Sequence, residues 1–163
     1  MEIYILRHGI AVERGTPGYK RDGDRPLTEE GVEKMRQIAK AMREMDLQSD
    51  VIFSSPYVRA KATADIVAET LGENVTLTDS LPPEADPAEL IDEINGEKPQ
   101  RVLLVGHEPD LSALISTLIC GKRNADIELK KGGLAKLTAE TLTYGKCATL
   151  NWLLTPKQLR QMR

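Results

Sequence analysis

At 163 residues and net charge −3, with 40% hydrophobic and 29% charged side chains, the chain has the composition of one soluble domain. Its core must be aliphatic, because one Trp, four Tyr and one Phe are all the aromatics it has. The acid excess argues against the broad basic surface that nucleic acids need, so any positive potential must gather in one cleft.

No apolar run is long enough to span a membrane, and Met1 to Gly9 lacks the pattern of a secretory leader. A cytoplasmic protein of a single domain, residues 1–163, is expected, with no membrane or nucleic-acid partner. Ile3 to Leu6 read as a short buried strand that delivers Arg7 and His8 before Gly9 lets the chain turn. In open α/β sheets, ligands collect outside the carboxyl ends of the strands. The segment Ile10 to Asp24, with Gly15, Pro17, Gly18 and Gly23, is a loop expected over the mouth of such a site. Thr28 then caps a helix, Glu29 and Glu30 suit its positive end, and Met35, Ile38, Ala39 and Met42 repeat on one face until about Met45.

Asp50 to Ser55 is a second buried strand, and Pro56 is expected at the first position of a helix running from about Tyr57 to Leu71 and ended by Gly72. Arg59 falls in its first turn, where a cation is electrostatically misplaced unless an anion sits there too. Val75 to Leu77 is a weak third strand, and Leu81 to Pro87 a loop carrying Glu84. A short helix with Leu90, Ile91 and Ile94 on one face is expected to close at Asn95 and Gly96. Arg101 to Val105 repeats the opening pattern, an apolar strand running into Gly106 and His107, and Pro109 opens a helix with an apolar face. Leu134 to Ala139 and Ala148 to Leu154 have strand character and are joined through Gly145, which predicts a hairpin and an antiparallel edge. Cys120 and Cys147 sit among apolar or small neighbours and are expected as buried thiols.

Three strand ends therefore carry polar groups: Arg7 and His8, Ser54 with Arg59, and His107. The chain has two histidines, and both fall directly after its most apolar strands. Arginine offers a planar fork for phosphate oxygens, and a neutral imidazole offers a nucleophilic lone pair. A metal is the competing use of two histidines, but neither has Cys or carboxylate partners at ligand spacing, so no metal and no cofactor is expected.

These motifs resemble the histidine phosphatase superfamily, whose signature is an Arg-His-Gly triplet after the first strand. The likeness continues in Arg25-Pro26-Leu27-Thr28-Glu29-Glu30-Gly31, in Ser54 to Ala64, in Val105-Gly106-His107 and in Gly132-Gly133-Leu134. Short length and the Arg-Pro-Leu-Thr form resemble its SixA-type protein-phosphohistidine phosphatases. The resemblance implies a phosphoglycerate mutase-like, three-layer α/β/α sandwich with a mostly parallel sheet and an antiparallel edge near the C-terminus. It implies His8 as the nucleophile that takes the phosphoryl group, Arg7 and Arg59 as phosphate clamps, and His107 as a protonated partner of the transferring oxygens. Arg25, Gly9 and Ser54 are implied around the phosphate. Larger members supply a carboxylic acid from an elaborated segment, and here Glu84 is the one candidate. An alkoxide leaving group needs such an acid, whereas phosphohistidine nitrogen leaves readily. The expected substrate is a phosphohistidine-bearing protein such as a phosphotransfer domain; the alternatives are a small-molecule phosphomonoesterase and a non-catalytic phosphate-binding module.

Overall fold

Ile3 and Ile5 point to one side of β1 (Glu2–Arg7), Tyr4 and Leu6 to the other, and all four are buried. A strand apolar on both faces needs a helical layer on each. The computed structural model, which describes residues 1–162, supplies both. α1 (Glu29–Glu44), β2 (Val51–Ser54), α2 (Val58–Leu71), β3 (Val75–Leu77), α3 (Pro87–Glu97), β4 (Arg101–Gly106), α4 (Asp110–Cys120), β5 (Leu134–Ala139), β6 (Ala148–Leu154) and α5 (Pro156–Gln161) follow in order. Six strands form one sheet in the order β3-β2-β4-β1-β5-β6. β1, β2, β3 and β4 pair in parallel, while β5 runs antiparallel to β1 and β6 antiparallel to β5. The expected α/β/α sandwich with an antiparallel C-terminal hairpin is therefore the fold.

Each face has its own core. Ile3, Ile5, Phe53, Val102 and Leu104 pack with Leu90, Ile91 and Ile94 of α3 and Leu111, Leu114, Ile115 and Leu118 of α4. On the other face Tyr4, Leu6, Ile52, Leu103 and Val105 meet Met35, Ile38 and Met42 of α1, Ala60, Ala64 and Val67 of α2, and Leu159 of α5. Neighbouring strands β1 and β4 thus send their following helices, α1 and α4, to opposite faces. The chain parts between their carboxyl ends, and a crevice opens there.

Three expectations are corrected and one helix is added. Pro56 is not at the first helical position: Ser55 Oγ accepts the Tyr57 backbone N–H at 3.2 Å in a turn, and the helix begins at Val58. α3 runs through Asn95 and Gly96 to Glu97, because Lys98 takes the left-handed cap with φ 51° and its N–H reaches Ile94 O. α5 was not expected, although Thr155, Pro156 and Gln158 spell a capping box with proline at its start. The cysteines are free as thiols but not buried: Cys120, last residue of α4, is exposed and Cys147 is half-buried. No helix among the described residues is long and apolar enough to cross a membrane.

The turn from β1 into α1 is held by backbone contact. Ile10 O accepts the Thr28 N–H at 3.0 Å, and Thr28 Oγ1 accepts the Gly31 N–H at 2.9 Å as the helix cap. A Cβ on Gly31 would stand 2.1 Å from Ile10 O, which only a backbone shift relieves. Gly31→Ala should therefore cost about 1–3 kcal/mol. Thermal unfolding should show a melting point lower by roughly 2–4 °C for each kcal/mol lost; an unchanged melting point would contradict this contact.

Candidate active site

β1 and β4 are paired with Leu6 against Val105 and Arg7 against Gly106, so the residues beyond them emerge side by side. His8 keeps the parity of Leu6, and His107 that of Val105. Both imidazoles consequently lie toward the α1/α2 face, buried, with ring centroids 5.2 Å apart and planes at 53°.

His8 Nδ1 lies 2.7 Å from Gly9 O. A carbonyl only accepts, so Nδ1 carries the proton and Nε2 keeps its lone pair. Arg59 Nε donates toward that lone pair at 3.3 Å. Gly9 is held in turn, its N–H donating to Thr63 Oγ1 at 3.0 Å, while the Thr63 hydroxyl donates to Arg59 O at 2.8 Å. No side chain fits at Gly9, where a Cβ would stand 2.6 Å from Met35 Cγ. Thr63 thereby ties the turn after β1 to the first turns of α2.

His107 Nε2 is 2.8 Å from Ser55 Oγ, and its Nδ1 is buried without a partner among the described residues. Tyr57 meets the ring edge-on at 5.2 Å, and the Arg59 guanidinium lies 5.3 Å from the Tyr57 ring centroid. Ser54 is not part of this arrangement. Its hydroxyl is fully buried and donates to Ser55 O, so the serine beside His107 is the next one along the chain.

Arg7, Arg25 and Arg59 line one cleft of about 560 Å³ together with His8, His107 and Glu84. Arg7 Nη1 donates to Leu129 O at 3.0 Å, and its Nε is buried and unpaired among the described residues. Arg59 Nη1 donates to Asp22 O at 2.7 Å and Nη2 to Asp22 Oδ2 at 2.9 Å. Arg25 donates to Asp22 Oδ1 through Nε at 2.9 Å and Nη2 at 2.7 Å, and to Val12 O through Nη1 at 2.6 Å. One carboxylate thus holds two arginines. Glu84 is exposed at the lip, and its backbone N–H donates to Asp110 Oδ2 at 2.8 Å. Among the described residues no three His, Cys, Asp or Glu side chains gather as a metal-binding group.

Residues 3–82 match the model of the histidine phosphatase superfamily, branch 1. An uncharacterized protein of Picosynechococcus sp. is 33% identical over 84% of this chain and 84% of its own length. The chain belongs to the histidine phosphatase superfamily. Phosphohistidine phosphatase SixA of Escherichia coli is 24% identical over 100% of this chain and 99% of its own. A solved structure of the protein histidine phosphatase SixA complexed with tungstate superposes with a TM-score of 0.82 at 24% identity, covering 98% of this chain and 99% of that one.

Against this family background, Asp22, Ser55, Tyr57 and Thr63 are the cleft and support residues that sequence reasoning missed. Asp22 had a usable signal: it stands three residues before Arg25, in a loop already expected over the site. Ser55 and Tyr57 lie within the matched Ser54 to Ala64 segment, but only the turn at Pro56 shows which side chain faces His107.

The electrostatics of the cleft set its charge states before an anion enters. Burial, reinforced by His107 and the arginines, pushes the His8 imidazole down to about 3, as required for a neutral nucleophile. Burial, followed by Arg59, pushes His107 down to about 3 as well, so it is not protonated by its own surroundings. Asp22 pays a desolvation penalty, yet hydrogen bonds from Arg25 and Arg59 hold its carboxyl down to about 2. Unfolded imidazoles accept protons near pH 6.5 and the folded ones resist until about 3, so the unfolded chain binds more protons between those values. Stability should fall as pH drops through that window, and Asp22 should add to the loss from its ordinary 3.8 down to about 2. Urea midpoints at pH 7 and pH 5 check this. His107→Gln should flatten the dependence, and midpoints independent of pH would contradict the buried neutral pair.

Proposed function

We propose that the protein is a metal-independent phosphatase that hydrolyses phosphohistidine on proteins through a covalent phosphohistidine at His8. The observation that carries this is the state of His8: Nδ1–H fixed on Gly9 O at 2.7 Å and a bare Nε2 beside Arg59 at 3.3 Å. The Nε2 lone pair attacks phosphorus as the bond from phosphorus to the substrate imidazole breaks, and that ring, already protonated at its other nitrogen, leaves as neutral imidazole. Water then attacks the phosphorus of phospho-His8, releasing phosphate and restoring Nε2. Positive charge that develops on the His8 ring is relieved at Gly9 O, since Nδ1–H is already directed there. Arg7 and Arg59 neutralise the equatorial oxygens, with Arg25 beside them. A phosphoryl dianion beside His107 opposes the burial that keeps this ring neutral, so it takes up a proton as the anion binds. Tungstate, the oxyanion in the SixA complex, is the probe for that step: its binding should consume a proton, read as a dependence of calorimetric enthalpy on buffer.

The leaving group separates this reading from a small-molecule phosphomonoesterase. Of the carboxylates lining the cleft, Asp22 is held ionised by its arginines and Glu108 accepts from Ser112 N at 2.8 Å and Ser112 Oγ at 2.6 Å. Asp110 accepts from Glu84 N, and Glu84 itself and Glu13 are exposed. None is a sheltered proton donor, which suits a nitrogen leaving group and not an alkoxide. A missing donor costs about 10²- to 10⁴-fold where one is needed, so phosphohistidine and aryl phosphates should outpace sugar phosphates by that order. A purely binding module would not need a nucleophile in this state.

His8→Ala should abolish turnover with the fold intact by circular dichroism, and mass spectrometry after a quench that avoids acid should find phosphate on His8 of the wild type. Activity should survive exhaustive chelation. Glu84→Gln should leave phosphohistidine hydrolysis within a few-fold of wild type, whereas a large loss on every substrate would make Glu84 the acid and favour the phosphomonoesterase. Phosphate found on His107 would overturn the assignment.

A further inference from the structure

Behind the turn after His8 lies a second hollow, of about 260 Å³, whose polar wall is basic. Lys34, Lys130, Lys131, Lys157 and Arg160 line it, and no carboxylate among the described residues does. Met35, Ile38 and Pro156 give it an apolar floor. It adjoins the phosphate cleft: Lys131 lines both, and Gly9, next to His8, borders this one.

Among the described residues, Lys34 has a carboxylate partner, Glu30 at 2.6 Å, and the other four cations have none within ion-pair distance. Arg160 keeps Nε buried, with no hydrogen-bond partner among the described residues. In a chain of net charge −3, four unpaired cations gathered in one place are not explained by composition. The opposite sign marks another edge of the cleft: beyond Arg7 and Glu108, its border carries Asp126 and Glu128. A small anion would want a few convergent buried donors, whereas Lys130, Lys131 and Lys157 are exposed and spread around the rim.

We propose that this hollow seats an acidic face of the phosphorylated protein substrate, with carboxylates flanking the phosphohistidine paired to Lys130, Lys157 and Arg160 while the phosphoryl group enters the cleft. The proposal rests on the phosphohistidine-protein reading above. Basic hollow and acidic edge together set the direction of approach, because a partner turned the other way brings its carboxylates onto Asp126 and Glu128.

The test uses the full chain, a histidine-phosphorylated phosphotransfer protein with an acidic face around its phosphohistidine, and para-nitrophenyl phosphate. Lys130→Glu with Lys157→Glu should lower kcat/KM on the phosphoprotein by about tenfold or more, chiefly through KM, and weaken its dependence on salt. Turnover of the aryl phosphate should stay within about twofold, since neither lysine lines the cleft. Calorimetric binding of the same carrier to His8→Ala, with and without the two charge reversals, separates docking from chemistry. Charge-dependent binding without hydrolysis by wild type would fail the phosphohistidine reading and leave docking supported. Hydrolysis and binding unchanged by the reversals, or equal losses on both substrates, would overturn the docking proposal. Inorganic pyrophosphate bound in a manner abolished by the reversals, with the carrier unaffected, would make the hollow a small-anion site and overturn it too.

Discussion

The parallel pairing of β1 with β4, Leu6 against Val105 and Arg7 against Gly106, is the constraint on which the site depends. A slip of one residue would turn one histidine to the opposite face of the sheet. The register is secured because both strands are apolar on both sides, so any slip would also disturb two cores at once. Past the strand ends, short supports are enough: the His8 N–H on Gly106 O at 3.1 Å, and the Gly132 N–H shared by Arg7 O and His8 O at 3.1 Å. The two imidazoles are held by backbone that the sheet has already fixed.

Placing two imidazoles and three arginines around one cleft is tolerable because the charges are divided unequally. The imidazoles stay neutral by burial, and the guanidinium groups lean on carbonyls and on Asp22. Arg59 shows how this works. Its side chain is 4% exposed, yet each guanidinium nitrogen has a partner: His8 for Nε, and Asp22 for Nη1 and Nη2. A buried cation without such partners would be strongly destabilising. The arginine that opposes the dipole of α2 is thus balanced from a different segment of chain.

The sequence was most readable where one period persisted. β5 and β6 fall at their expected bounds, and the α1 face follows the spacing of Met35, Ile38 and Met42. It was least readable where the outcome hangs on a local turn. Pro56 looks like a helix opener until the Ser55 hydroxyl takes the Tyr57 N–H, and that same turn sets Ser55, not Ser54, against His107. Asn95 and Gly96 look like a stop until Lys98 adopts the left-handed cap. Of the site residues named from the sequence, His8, Arg7, Arg59, His107, Arg25 and Glu84 line the cleft, whereas Gly9 and Ser54 do not. Asp22 was not foreseen, because its part comes from pairing with Arg25 three residues on and with Arg59 across the fold, and only the first of these is local. The depressed pKa of His107 is not legible in the sequence, because burial is a property of packing and not of spacing.

The loop that carries Asp22 is anchored at its feet and free at its tip. Ala11 bridges Leu27, the Val12 N–H reaches Pro26 O at 2.9 Å and Arg25 grips Val12 O, whereas Glu13, Arg14, Gly15, Pro17 and Gly18 stand exposed. Lengthening a loop whose ends are already fixed adds only a slowly growing entropic cost, about 0.6 kcal/mol for each doubling. New segments can therefore be grafted into this tip, over the mouth of the cleft, without disturbing the arginines at its base. The fold is in that sense modular at one point: reach and selectivity can be rewritten in the tip while the anion-holding chemistry is inherited intact.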